Sequence, residues 1–390
     1  MIHTAMLINA QSYRLDNIAR YNYFLSQPET VRFKQSSYYY NLRFKSMGII
    51  LATRIKKHHR YQCIVYACKI NFKRLTEQTD RVSLYTDRDH DKTVAKFNEC
   101  MTEFGLPSWD YWITNRIDYC INVRTSHVEE YIKLMQKGDV PYYQRIAYNR
   151  DKHRSMHKPG SLYLVAQARD GRKGKTGSQT YNFYDKHAQK LYERDVKGIE
   201  VTDQELEQAK NILRLEVQCY KPKLEYTKRK YSLEDKRIET MLSDEYSKNI
   251  VGKAVKNVCH AGDYVTKNEA YKIIDKAKMQ NATKDKLKLI IKEVSRQYQS
   301  IAKVREKLTE ETETMTRNNF NAYLKRLDQL GINAVTVNCT GMTDRLTSVY
   351  KLFMDAVDKE LYLDQIEDDV PEFTDQDEEA IEKIMDGECF

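Results

Sequence analysis

The stretch from Thr180 to Lys186, TYNFYDK, sets a phenol beside an acid and two residues from an amine. Read as a strand, it places Thr180, Asn182 and Tyr184 on one face and Tyr181 and Phe183 on the other. Tyr184 then ends the polar face. A phenol there can attack phosphorus if a cation stabilises the developing charge; with an ordinary pKa of about 10 it is otherwise a poor nucleophile. Lys186 is spaced to steady a phenolate or a phosphate. The plain alternative is that a chain with 29 tyrosines leaves many of them at strand ends.

Two further strand-like stretches carry an acid in the middle of a polar face, each with an arginine two residues earlier. In NRIDYCINV, Ile117, Tyr119, Ile121 and Val123 alternate with Arg116, Asp118, Cys120 and Asn122. In ILRLEVQ, Leu213, Leu215 and Val217 alternate with Arg214, Glu216 and Gln218. If these strands share a sheet, Asp118 and Glu216 converge. Two carboxylates on a rigid sheet suit Mg²⁺ or Mn²⁺, which take oxygen ligands and complete their shells with water and phosphate. Such an ion would polarise a scissile phosphate, and the arginines would bind its free oxygens. Taken alone, each motif reads first as a solvated face with Arg–Asp or Arg–Glu pairs of little consequence.

The loop ARDGRKGKTGSQ offers Arg169, Arg172, Lys173 and Lys175 to a DNA backbone, or is simply an exposed hairpin tip. It lacks the spacing of a nucleotide-binding P-loop. His58 and His59 are adjacent and point apart. His153 and His157 are four residues apart but precede Pro-Gly, so neither pair reads as a metal site. The eight cysteines show no CxxC pair and read as reduced and structural.

The elements that must position these residues form an alternating pattern up to about Tyr220. MIHTAML reads as a strand, and two apolar runs flank KKHHR as a hairpin. A helix follows, ending at Gly105. The NRIDYCINV strand comes next, then a helix with Ser126 as its cap and Gly138 as its stop, two strands around the basic loop, a helical stretch through Glu207, and the ILRLEVQ strand. This predicts an α+β fold with a mainly antiparallel sheet and flanking helices over residues 1–225. Helical periodicity fills 226–354, including a Thr266/Glu269 capping box and a helix carrying Phe320, Leu324 and Leu327 on one face. That helix is a candidate for a DNA groove or for packing on the sheet domain. No internal repeat is visible in the sequence.

Residues 355–390 form an acidic tail, with fifteen acids and two lysines giving −13. Since the whole chain is +9, everything before the tail carries +22. A body that basic points to a polyanion, nucleic acid first. The tail reads as a solvating appendage, a partner-binding segment or an internal mimic of the polyanion. A mean hydropathy of −0.74 and the lack of a long apolar run leave no membrane span, and the N-terminus lacks a signal pattern, so a cytoplasmic protein is expected.

Taken in order, MIHTAML, NRIDYCINV, GSLYLVAQ, NFYDKHAQK and ILRLEVQCY resemble the replication initiators of filamentous phages, the gene II/gene X type, and the related Rep proteins and relaxases of plasmids and conjugative elements. The resemblance implies that Tyr184 attacks one strand of origin DNA, forms a 5′-phosphotyrosyl link and releases a 3′-hydroxyl for a polymerase. It implies Asp118 and Glu216 as ligands of Mg²⁺ or Mn²⁺, with Arg116, Arg214 and Lys186 around the phosphate. It further implies single-stranded or supercoiled origin DNA as partner in a bacterial cytoplasm, with a host helicase and polymerase beside it; a homodimer is compatible with it. A conjugative relaxase has the same chemistry. A non-catalytic DNA-binding regulator and a nuclease using water as nucleophile are the alternatives from other classes.

Overall fold

Apolar residues at every second position give the long strands one face that must be covered, and their pairing sums these faces into a single sheet. The computed structural model describes residues 1–32, 38–58, 61–77, 84–139, 144–146, 161–166, 178–197, 201–296, 299–337 and 345–358. The chain opens with β1 (Ile2–Ser12) and α1 (Leu15–Ser26). It continues through β2 (Thr30–Arg32), β3 (Tyr39–Asn41) and the hairpin of β4 (Ile49–His58) and β5 (Tyr61–Asn71), then α2 (Phe72–Glu77) and α3 (His90–Glu103). The second half runs β6 (Ile113–Arg124), α4 (Val128–Gln136), β7 (Gln144–Ile146), β8 (Ser161–Ala166) and β9 (Gln179–Asp185). It closes with α5 (Lys186–Lys197), α6 (Asp203–Ala209) and β10 (Ile212–Tyr220).

The sheet order is β2-β3-β4-β5-β1-β6-β10-β9-β8-β7, and each pairing is antiparallel. The fold is therefore α+β, as the sequence predicts. The two halves share one connectivity. Each begins with a strand and a helix, lays down three more strands outward in, and returns with a last strand beside the first. β1 and β6 meet antiparallel at the middle, so the halves are related by a topological two-fold that the sequence does not reveal.

The two faces of this sheet differ. One face, with α1, α3, α4 and the later helices at Asp244–Val258 and Val349–Asp358, forms a continuous apolar core that includes Leu7, Tyr66, Ile117, Tyr119, Tyr181, Phe183, Leu213 and Leu215. The other face is mainly apolar in the first half, where Met6, Ile8, Ile50, Ala52, Val65 and Ala67 cluster with Tyr38 and Tyr40 around the buried Arg54 and Lys69. In the second half the same face is polar, with Asp118, Asn122, Arg214 and Glu216 all buried.

After the sheet come α7 (Lys221–Lys230), α8 (Ile238–Met241), α9 (Asp244–Val258), β11 (Tyr264–Val265), α10 (Lys267–Lys276) and α11 (Asn281–Val294). They are followed by α12 (Ile301–Glu306), α13 (Arg317–Gln329), β12 (Arg345–Leu346) and α14 (Val349–Asp358). The boundary expected after residue 225 falls inside α7, and the helices beyond it share the core of the sheet. Tyr119 donates its hydroxyl to the Met241 carbonyl at 3.1 Å, and Phe353 meets Phe183 edge to face at 5.9 Å between ring centroids. Local signals held with small changes. α4 is capped by His127 rather than Ser126, and Thr266 accepts from the Glu269 amide at 3.3 Å. Phe320, Leu324 and Leu327 of α13 face inward, and Gly331 ends that helix at a φ of 73°. The acidic tail beyond Asp358 lies outside the described residues.

Phe353→Ala removes a fully buried ring at the junction of α14 and β9, and should lower the unfolding free energy by about 3–5 kcal/mol. Denaturation followed by circular dichroism and by tryptophan fluorescence should give one shifted transition, because both tryptophans, Trp109 and Trp112, are buried in the same core. Two separated transitions would show that the later helices fold on their own.

Candidate active site

Strand register assembles the site. Across β6 and β10, Asp118 pairs with Gln218, Cys120 with Glu216 and Asn122 with Arg214. Across β10 and β9, Glu216 pairs with Asn182 and Arg214 with Tyr184. Cross-strand partners share a face, so the polar residues of three strands form one patch opposite the helices. Tyr181 belongs to the apolar core on the other side.

A register shift adds a residue that strand alternation does not foresee. β1 pairs Ile2 with Tyr119 and Thr4 with Asp118, leaving His3 as the extra residue of a bulge. A bulge bends the strand and re-aims a side chain, here bringing His3 to the polar patch next to Thr4. One imidazole nitrogen of His3, the Cys120 thiol and a Glu216 carboxylate oxygen lie within 4.8 Å of one another, all three residues buried.

Each acid has a distinct setting. Asp118 accepts from Arg116 through two parallel bonds, Nε to Oδ1 and Nη2 to Oδ2, both 2.9 Å, and from the Thr4 hydroxyl at Oδ2. Such a fork on a carboxylate is strong and directional. Glu216 accepts from Gln218, whose own oxygen is held by Thr180 at 2.9 Å and Tyr220 at 3.0 Å. The Tyr184 hydroxyl lies 3.5 Å from Glu216 Oε2, at the far limit of a hydrogen bond. Arg214 donates to Asn122 at 2.7 Å. Asp185 accepts from the amides of His187 at 2.9 Å and Ala188 at 3.2 Å, which turns the chain from β9 into α5 directly after Tyr184.

The electrostatics follow from burial among cations. Burial raises the Glu216 carboxyl above its ordinary range and the Asp118 charge adds to it, while Gln218, Arg116 and Arg214 oppose. Burial also lifts the Tyr184 phenol well above the usual tyrosine range, partly offset by the charge of Arg214. Burial and then Arg214, Lys186, Lys69 and Arg116 together hold His3 well below the ordinary histidine value, so its imidazole is neutral. The patch is thus a buried set of oxygen, nitrogen and sulfur donors in which the Asp118 and Glu216 carboxylates are interleaved with Arg116, Arg214, Lys69 and Lys186.

The structure brings together Tyr184, Arg116, Asp118, Arg214 and Glu216, with Lys186 fully buried at the start of α5. His3, Thr4, Lys69 and Cys120 join them. Cys120, which the sequence places on this face and reads as a reduced structural cysteine, is a buried free thiol here. Arg169, Arg172, Lys173 and Lys175, together with His153 and His157, lie outside the described residues. No family model, curated protein or solved structure matches this chain.

Asp118 is 2 % exposed, so Arg116→Met would strand a buried carboxylate and should cost about 3–5 kcal/mol in a urea titration. Adding Asp118→Leu to that variant should restore most of the loss. A single variant as stable as the parent would mean the pair behaves like a surface ion pair.

Proposed function

We propose that the protein nicks and rejoins one DNA strand at a replication origin, with Tyr184 as the nucleophile. The observation that carries this reading is the convergence of the Tyr184 phenol, the Glu216 carboxylate and Arg214 on one buried polar face. The resemblance in motif order and the +22 charge ahead of the acidic tail add support. The basic body binds the phosphate backbone with an affinity that falls steeply with salt.

The residues divide the chemistry as follows. Glu216, 3.5 Å from the phenol and with its proton affinity raised by burial, is the nearest acceptor for the phenolic proton. Arg214 favours the phenolate that results, since its charge is what offsets the cost of ionising Tyr184 in a buried site. The phenolate oxygen forms a bond to phosphorus as the bond to the departing 3′-oxygen breaks, and that oxygen takes up a proton to become the 3′-hydroxyl. One phosphodiester replaces another, so the reverse attack by a 3′-hydroxyl closes the strand without a nucleotide cofactor. Arg116 and Lys186 bind the non-bridging oxygens and stabilise the charge that builds on them. Asp118 holds Arg116 in place. Because Tyr184 is only 5 % exposed, the reaction requires this face to open to the strand.

A divalent cation, when bound, would supply further neutralisation of the scissile phosphate. The donors fit one: Glu216 is in position, and the buried Nε2 of His3 has no hydrogen-bond partner among the described residues. Both Asp118 oxygens are already engaged by Arg116 and Thr4.

The test is a supercoiled replicon carrying the cognate origin, incubated with the protein and a divalent metal and resolved on a denaturing gel with and without protease. The expected product is a nicked strand retarded by bound protein, absent with Tyr184→Phe, while DNA binding by that variant stays within about twofold. A nick with no attached protein would transfer the reading to a nuclease that uses water. Binding without a nick, unchanged by Tyr184→Phe, would leave a DNA-binding regulator.

A further inference from the structure

We infer that His3, Cys120 and Glu216 form a cation site whose imidazole, thiolate and carboxylate donors select a zinc-class ion over Mg²⁺. This deepens the proposed function by naming the ion, and it stands on its own geometry. The three donor atoms lie within 4.8 Å of one another, so a small side-chain rotation lets one ion bridge them at bond lengths of about 2.0–2.3 Å. Mg²⁺ demands an oxygen shell, whereas nitrogen and sulfur donors favour Zn²⁺ and Co²⁺, with Mn²⁺ weaker in the usual order of divalent affinities.

Three observations argue for a ligand at this point. Among the described residues His3 Nε2 is buried without a hydrogen-bond partner, a loss of about 1–3 kcal/mol that bonding to an ion would offset. Packing alone does not call for these residues. Apart from His3 and Lys69, the same face of the topologically equivalent half carries Met6, Ile8, Val65 and Ala67 in β1 and β5, the counterparts of β6 and β10. Third, β1 departs from regular pairing to deliver His3, and bulges of this kind are common beside active sites. Asp118, the other acid of the patch, is held by Arg116 and Thr4, which leaves the nitrogen and sulfur donors to complete the set beside Glu216.

Binding converts the Cys120 thiol to a thiolate: the S–H proton passes to the buffer as the sulfur–metal bond forms. The full-length, reduced, metal-free chain, without DNA, is titrated with Co²⁺ and followed by absorption. Stoichiometric Co²⁺ should produce a near-ultraviolet thiolate-to-cobalt band that Zn²⁺ removes by displacement and Mg²⁺ in large excess does not. Calorimetry in buffers of different ionisation enthalpy should register the released proton. Cys120→Ser should abolish the band, and His3→Ala should keep it while weakening binding by about 10–100-fold, the range that even outer metal partners contribute. Cys63→Ser, at a half-buried thiol away from the patch, should leave the band unchanged.

A folded parent chain with no band, a band that survives in Cys120→Ser, or Mg²⁺ competing on equal terms with Co²⁺ would each overturn the inference. If Cys120→Ser does not fold, the His3→Ala affinity and the parent's proton release decide it. The two readings separate cleanly. A chain that binds Co²⁺ in this way but never nicks DNA loses the proposed function and keeps the site. A chain that nicks with Mg²⁺ and ignores Cys120→Ser keeps the function and loses the site.

Discussion

The antiparallel register of β6, β10 and β9 is the constraint on which the rest depends. A shift of one residue in any of these strands would send Asp118, Glu216 or Tyr184 into the apolar core and bring a leucine or isoleucine out in its place. That slip is blocked by the core itself. Ile117, Tyr119, Ile121, Leu213, Leu215, Val217, Tyr181 and Phe183 are buried beneath the helices, and each fixes the polar neighbour before and after it. The chemistry of the site is thus held by residues that never touch it. At the end of β9, the capping of α5 by Asp185 stops the strand directly after Tyr184, so the phenol sits at a rigid junction rather than on a free loop.

The topological two-fold shows what the sheet requires and what it does not. Both halves use the helix-covered face for the core, so apolar alternation there is a condition of folding. On the opposite face the first half is mainly apolar around Arg54 and Lys69, and the second is packed with buried charge of both signs. Burying Arg214, Asp118 and Glu216 costs free energy unless each is paired, and the pairs found here, Arg116 with Asp118 and Arg214 with Asn122, meet that condition only in part for the Glu216 and His3 region. The first half also buries Arg54 and Lys69 on this face, but no acid among its described residues there, whereas the second half holds the acids Asp118 and Glu216 beside Arg214.

Much of this was legible in the sequence. Period-two alternation gives the faces of three strands correctly, residue by residue; the convergence of Asp118 and Glu216 is legible only if their strands share a sheet, and the adjacency that also brings in Tyr184 and the arginines comes from the fold. The antiparallel α+β class followed from the spacing of strands and helices. Three things were not legible. His3 is adjacent to Thr4, and simple alternation puts neighbours on opposite faces; only the bulge in β1 brings both to the same side. The second is the forked geometry of Arg116 on Asp118: the spacing offers an ion pair, but not two parallel bonds to both carboxylate oxygens. The equivalence of the two halves lies in connectivity alone, because the residues on the second face share no pattern. The helices after residue 225 look autonomous in sequence, since each is amphipathic; which apolar surface covers them is decided only by the tertiary fold.

The central claim is that Tyr184 becomes bonded to DNA. The most direct measurement is mass spectrometry of the protein recovered from a reaction with a short single strand carrying the nick site, after digestion with nuclease and protease. The account predicts a peptide containing Tyr184 with a nucleotide attached through its phenolic oxygen by a 5′-phosphate. A nucleotide on any other residue, or an unmodified Tyr184 peptide alongside fully nicked DNA, would contradict it.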